Sequence, residues 1–429
     1  MPSWSFPPAV FALMSSSMSN SRVSYCAKPP LSRRTQEEEE DLFLLYLHHK
    51  QQRLKWKHSR DKKAFYRLLS KKAQRLRDRR IPRTSLQDPH KSAWRKLYES
   101  NVDQSMVTLT GLDMETFQWL LDKFEPLYQK FTPHSKDGMI RRVVGVGRPR
   151  LMNAADCMAM NLAWTRLRGS MFCLQLIFAM TGSTVSLYLR FGRRLLIKVL
   201  TNSPEAAIFI PPDHKIEEFK LEISKRHPSL TDVWCTMDGL KLYLEQAGDT
   251  IIQNMFYNGW THDHYVSSVL VFCPDGTIPI ACYNMPGCLH DSTIAEWGKI
   301  YKKLKDVYRR TGGKCTVDSA FNKKDNEYLI KSSQQHPMTD DPNDIIVNRE
   351  ATSMRQSAEW GMRALQSSFP RLKDRFIYEE HGERKVIMKM MLMLYNLRAR
   401  KVGINQILNT YMPHLNRDTN EAYINPLMY

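Results

Sequence analysis

The 429-residue chain carries 63 Lys and Arg against 44 Asp and Glu, a formal charge of +19. This length allows two or three domains and a sizeable core, and the positive excess points to a polyanionic partner, nucleic acid ahead of an acidic membrane surface. The chain has no run of about 18 uncharged apolar residues, so no membrane span is expected, and its eight cysteines form no CxxC pair, which argues against a zinc ribbon or thioredoxin-type site.

Residues 1–35 are rich in Ser and Pro, have little periodicity, and read as a disordered tail. The short apolar run FPPAVFALM follows no basic stretch, so a secretory signal is not expected. Residues 36–100 read as a basic helical arm. Up to Arg80 it lacks Pro and Gly, and it starts acidic and ends basic, the polarity a helix dipole favours. Between Lys50 and Arg83 fifteen Lys or Arg stand against Asp61 and Asp78, a density that suits either phosphate or a solvated helical face.

Residues 105–205 read as an all-helical, helix-turn-helix-like DNA-binding domain. From Thr108 to Phe131 apolar residues recur at helical intervals, as in a short helix pair. GVGRPR at 145–150 is an interdomain turn, or an extended segment that puts Arg148 and Arg150 into a minor groove. Asn153 is the expected N-cap of the next helix, which Gly169 ends. A helix from Met171 to Met180, a Thr181-Gly182 turn and a helix from Ser183 onward have the outline of a helix-turn-helix. Its second helix would present Ser183, Thr184, Ser186, Tyr188 and Arg190. An ordinary three-helix cap is the competing reading.

After Pro211-Pro212 the period changes. WCTMDGLKLYL, HYVSSVLVFC, TIPIACYNM and KCTVDSAF are short runs rich in β-branched and aromatic residues, bounded by turn signals. DSTIAEWGKIYKKLKDVYRR and ATSMRQSAEWGMRALQSSF read as helices, and a Met-rich segment, RKVIMKMMLMLYNLRARKVGINQIL, as a final core helix. The order β-β-β-α-β-…-α describes an α/β protein with a mixed sheet flanked by helices. Residues 413–429 form a C-terminal tail.

Four acids stand out: Asp238, Asp291, Asp318 and Glu359. Carboxylate oxygens are the hard ligands that Mg²⁺ or Mn²⁺ prefers. Arg355, one helical turn before Glu359, can orient that carboxylate or touch a phosphate oxygen, unless the two form only a surface ion pair. His262, His264 and His290 raise a weaker zinc alternative. Trp260 and Trp360 are read first as core packing, with bracing of the site or base stacking as the alternative.

The stretch MFYNGWTHDHYVSSVLVFCPDGTIPIACYNMPGCLHDSTIAEWG, with TVDSAF, AEWGMRALQSSFPRLKDRF and LYNLRARKVGINQI downstream, resembles the DDE superfamily endonucleases of Harbinger-type DNA transposases over residues 228–412. The resemblance implies a ribonuclease H-like fold and a two-metal cut-and-paste reaction using Mg²⁺ or Mn²⁺. It makes Asp238 the first catalytic acid and Glu359 the last. Asp318 is favoured as the second, leaving Asp291, in the His-Asp-Ser motif, as a further metal ligand or scaffold. It also implies action in the nucleus on double-stranded DNA at terminal inverted repeats, a homo-oligomer on that DNA, and in several relatives a Myb-like helper protein. The alternative is a transposase-derived, sequence-specific DNA-binding protein without nuclease activity.

Overall fold

The computed structural model describes residues 81–133, 140, 149–168, 171–247, 250–321, 327–332, 342–377 and 381–415. The tail at 1–35, the basic arm up to Arg80, Arg148, Gly169 and the end of the C-terminal tail lie outside the described residues.

The helical region begins with α1 (Ala93–Glu99), α2 (Asp103–Thr110) and α3 (Met114–Lys130). Gly111, at φ +84°, ends α2 in the left-handed conformation that a side chain resists, and Asp113 caps α3 by accepting from the Thr116 N–H. The helix pair expected between Thr108 and Phe131 is therefore present, though its first member starts earlier. Asn153 caps α4 (Ala154–Arg166) as its sequence position predicts, accepting from the Asp156 N–H. Asp156 in turn binds α1, accepting from Trp94 Nε1 at 2.8 Å and pairing with Arg95 at 2.8 Å. α5 (Met171–Ile177) and α6 (Gly182–Thr201) meet at 96°. Gly192 lets α6 lie close to α4, because a Cβ there would collide with Asn161. No single described helix is long and apolar enough to cross a membrane.

α7 (Asp213–Arg226) leads into the sheet: β1 (Val233–Tyr243), β2 (Tyr257–Asn258) after α8 (Thr250–Phe256), β3 (Asp263–Phe272), β4 (Ile280–Pro286), β5 (Lys314–Asp318) and β6 (Leu329–Ser332). The main order is β4-β3-β1-β5-β6, with β2 paired to the first residues of β3. β1 is central, antiparallel to β3 in unbroken register from Thr236↔Phe272 to Tyr243↔Tyr265, and parallel to β5. β5 and β6 are also parallel.

Successive side chains of a strand point to opposite faces, and helices cover both. Leu240, Leu242 and Leu270 face α11 (Pro342–Ser368) and α12 (His381–Lys401), lining one small apolar cavity with Leu365, Met388 and Met391. α9 (Asp291–Trp297) and α10 (Ile300–Thr311) follow β4 and pack on the other side, where Asp291 meets Gly239. The single helix expected from Asp291 to Arg310 is two, broken at Gly298-Lys299 where Lys299 adopts φ +54°. The final segment also breaks: Gly403 turns at φ +77° and Asn405 caps α13 (Gln406–Tyr411). The methionine stripe of α12 is core, with Met388, Met390, Met391 and Met393 all buried. Each such side chain contributes on the order of 1.5–3 kcal/mol.

One hydrophobic core runs from Trp94 to Met412, so the helical region and the sheet share an interior. Arg166 on α4 donates to the Ser368 carbonyl at 2.9 Å, and Arg398 on α12 to the Gly111 carbonyl at 2.7 Å.

Candidate active site

Asp238 lies on β1 and Asp318 ends β5. The parallel pairing Met237↔Val317 sets the next residues, Asp238 and Asp318, side by side on adjacent strands. Asp238 accepts from the Gly239 N–H at 2.7 Å, and Asp318 from the Ser319 N–H at 2.7 Å. The Asp238 carboxyl is pushed up to about 6, chiefly by burial and further by the charges of Asp291 and Asp318, against the pull of the Gly239 N–H and Arg355.

α11 crosses the same face and supplies Arg355 and Glu359. The Arg355 Nη1 stands 3.9 Å from Asp238 Oδ2 and 3.5 Å from Glu359 Oε1. Glu359, the more exposed acid at 38%, also lies 3.8 Å from Arg363 Nη2. The i,i+4 spacing thus yields the local pair the sequence suggested, and the fold adds Asp238 to it.

Asp291, the first residue of α9, packs on the Cα of Gly239. Gly239 follows Asp238 in a strand of unbroken register, so Asp291 approaches β1 from the reverse face. Its Oδ1 is buried with no hydrogen-bond partner among the described residues, and burial pushes its carboxyl up, opposed by Lys241 and His290 and reinforced by Asp318. Gly239 and Lys241 are functional candidates that sequence reasoning missed. The Asp-Gly pair was the available signal for Gly239, since glycine in a strand marks a close approach.

Three aspartates therefore stand within electrostatic reach of one another, while Glu359 joins them through Arg355. Among the described residues no three His, Cys, Asp or Glu side chains converge tightly enough to hold a metal ion. The donor chemistry nevertheless fits a hard divalent cation. The ligands are carboxylate oxygens, two of the acids are raised by burial and by neighbouring aspartates, and one buried oxygen has no partner among the described residues. The zinc alternative gathers no ligand set among the described residues. His264 is buried and His262 pairs with the Tyr257 hydroxyl.

The DNA-contacting candidates divide. Ser183, Ser186 and Arg190 are exposed on α6, and half-buried Thr184 shares a hydrogen bond with Thr181. Tyr188, expected on the contact surface, is only 3% exposed. The helical period turns it inward, where its hydroxyl accepts from the Leu151 N–H. Arg150, a groove candidate on one of the two readings of GVGRPR, lies over the Tyr128 ring at 4.2 Å and donates to the carbonyls of Tyr128 and of Phe131, the latter at 2.6 Å. Its donors tie the end of α3 to the start of α4. Trp360 packs against the core, whereas Trp260 is 84% exposed in the turn between β2 and β3, contrary to the packing reading.

The fold and site define an α/β domain with an acidic cluster over its central strands. Residues 237–396 match the family model described as DDE superfamily endonuclease, a segment that contains Asp238, Asp291, Asp318 and Glu359, and the match is consistent with a DDE transposase-like protein. No curated protein and no solved structure matches the chain.

Proposed function

We propose that the protein is a Harbinger-type DNA transposase, cutting and joining phosphodiester bonds at transposon ends by a two-metal mechanism. The observation that carries this reading is the adjacency of Asp238 and Asp318 on parallel strands, with Glu359 brought over the same face by α11. The strand order, three antiparallel strands followed by two parallel to the first, supports a ribonuclease H-like fold.

Asp238, Asp318 and Glu359 would hold Mg²⁺ or Mn²⁺, with Asp291 as a further ligand or as a support behind β1. When bound, a pair of such ions activates the attacking hydroxyl and stabilises the leaving oxygen. The protein's own part is to pre-assemble the charge. Burial has already stripped Asp238 of much of its solvation, so at neutral pH, where the group is ionised, it can meet a cation with little further desolvation. Arg355, beside Asp238 and Glu359, is placed to meet phosphate oxygens, whereas Lys241 lies with Asp291 on the reverse face of β1.

The +19 charge and the exposed face of α6 support binding of double-stranded DNA at terminal inverted repeats. The 96° crossing of α5 and α6 falls within the helix-turn-helix range, and supports that assignment for the helical region. Nuclear action, a homo-oligomer pairing two DNA ends and a Myb-like helper complete the proposal. The test is Mg²⁺- or Mn²⁺-dependent cutting of terminal inverted repeats by the folded chain. Cutting that disappears in Asp238→Ala and Glu359→Ala supports it. Specific binding without cutting, unchanged by both substitutions, would instead identify a transposase-derived DNA-binding protein.

A further inference from the structure

We propose that Arg355 is a resident counter-cation of the acid site, which a divalent metal ion must displace from between Asp238 and Glu359. The inference rests on the reading of these acids as ion ligands. It concerns what occupies their shared space beforehand.

The arginines that tie β3 and α4 to their neighbours make short hydrogen bonds, while looser pairs at 3.8 Å, Arg309–Asp306 and Arg363–Glu359, involve well-exposed arginines. Arg375 grips Asp263 with two, at 3.0 and 2.7 Å, and Arg95 reaches Asp156 at 2.8 Å. Arg355 behaves differently. Its Nη1 keeps 3.9 Å from Asp238 and 3.5 Å from Glu359, beyond the roughly 2.7–2.9 Å of a charge-assisted hydrogen bond. Its side chain is only 12% exposed, and its buried Nε has no hydrogen-bond partner among the described residues. A guanidinium so placed neutralises two carboxylates at once without clamping either.

That position is also the one a cation liganded by Asp238 and Glu359 has to take. Two positive groups cannot share it, because like charges a few ångströms apart in a partly buried site repel strongly. The long arginine side chain can swing away along α11 while Glu359, one turn on, stays in place. In the ion-free protein Arg355 offsets the repulsion among the acids. When the ion enters, Arg355 leaves, and the measured ion affinity is weakened by its departure.

The experiment uses the full chain and its Arg355→Gln and Arg355→Lys variants, with Mn²⁺ as the probe, read by calorimetric titration and by thermal unfolding in chelator and in excess Mn²⁺. Asp238→Asn identifies the binding event that belongs to this site. Arg355→Gln is expected to bind Mn²⁺ about three- to tenfold more tightly than the wild type. It is also expected to melt lower in chelator and to gain more from added ion. Arg355→Lys, which keeps the charge, should stay closer to the wild type. Equal or weaker Mn²⁺ binding by Arg355→Gln, with the wild type binding in an Asp238-dependent manner, overturns the counter-cation role alone and makes Arg355 a scaffold. If neither protein shows Asp238-dependent binding, the ion reading of the site fails and this inference falls with it.

Discussion

Asp238→Asn should stabilise the ion-free protein at neutral pH. The Asp238 carboxyl is pushed from 3.8 up to about 6 by folding, so the folded state favours its protonated form. For an acid shifted upward, the associated stability is intact below the unfolded value, declines as pH rises through the window from about 4 to 6, and is absent above it. A shift of about two units corresponds to at most about 3 kcal/mol. The side chain is 17% exposed, and the residual solvent screening reduces the expectation to about 1–2 kcal/mol. Asparagine cannot ionise, yet its Oδ1 can still accept from the Gly239 N–H, and the attraction of Arg355 is already contained in the net shift. Urea unfolding of both proteins in chelator at pH 4, 5, 6 and 7.5 is the assay. The two curves should coincide at pH 4, with the variant ahead by about 1–2 kcal/mol at pH 7.5. Adding Mn²⁺ should reverse the order by stabilising only the wild type. A difference that stays flat across this range, or a wild type that is the more stable at pH 7.5 in chelator, refutes the reasoning.

Gly239→Ala would drive a methyl group into the Asp291 carboxylate and should destabilise by about 1–3 kcal/mol in urea unfolding. In an Asp291→Ala background the same change should be close to neutral, and simple additivity of the two would show that glycine is not needed there for the aspartate. Arg150→Ala leaves the carbonyls of Tyr128 and Phe131 without their donor and should cost about 1–3 kcal/mol, leaving the salt dependence of DNA binding unchanged. A drop in that slope of about one unit would return Arg150 to the DNA interface. Arg190→Ala, on the exposed face of α6, should lower the slope by about 0.9 without altering the melting temperature. An unaltered slope would remove this helix from contact.

Much of the sheet was legible because its signals are local. β1, β3, β4 and β5 announce themselves through β-branched and aromatic runs between turns, and all four fall where those runs lie. α7 escaped notice because DHKIEEFKLEISKR buries only Ile216, Phe219 and Ile223 and follows two prolines, while β6 spans just Leu329–Ser332. α11 begins at Pro342, well before the segment that reads as helical, since its first turns carry Asn, Asp and exposed Ile345 and Ile346. At the site, the residue types and the Arg355–Glu359 spacing were readable. The separation of Asp291 from Asp238 by the thickness of a strand was not, because a face is assigned only once the register is known. Tyr188 was misplaced for the same reason on a helix: small polar neighbours made its segment look like one exposed face.

Register also explains how the site comes to exist. β1 and β5 pair at Val233↔Lys314 and next at Cys235↔Cys315, so Trp234 is an extra residue on β1 with no counterpart. Were Trp234 itself paired with Cys315, continued pairing from Val233 would set Met237 opposite Asp318, and Asp238 would point to the face opposite that of Asp318, since a slip of one residue reverses every side chain. The extra residue restores the phase in which Asp238 and Asp318 are neighbours. Its indole is fully buried and lies over Gly313, where a Cβ would come within 2.8 Å of the ring, so the glycine ahead of β5 gives the irregularity room. The adjacency of the two aspartates thus depends on a buried tryptophan and a glycine, neither of which belongs to the site's chemistry.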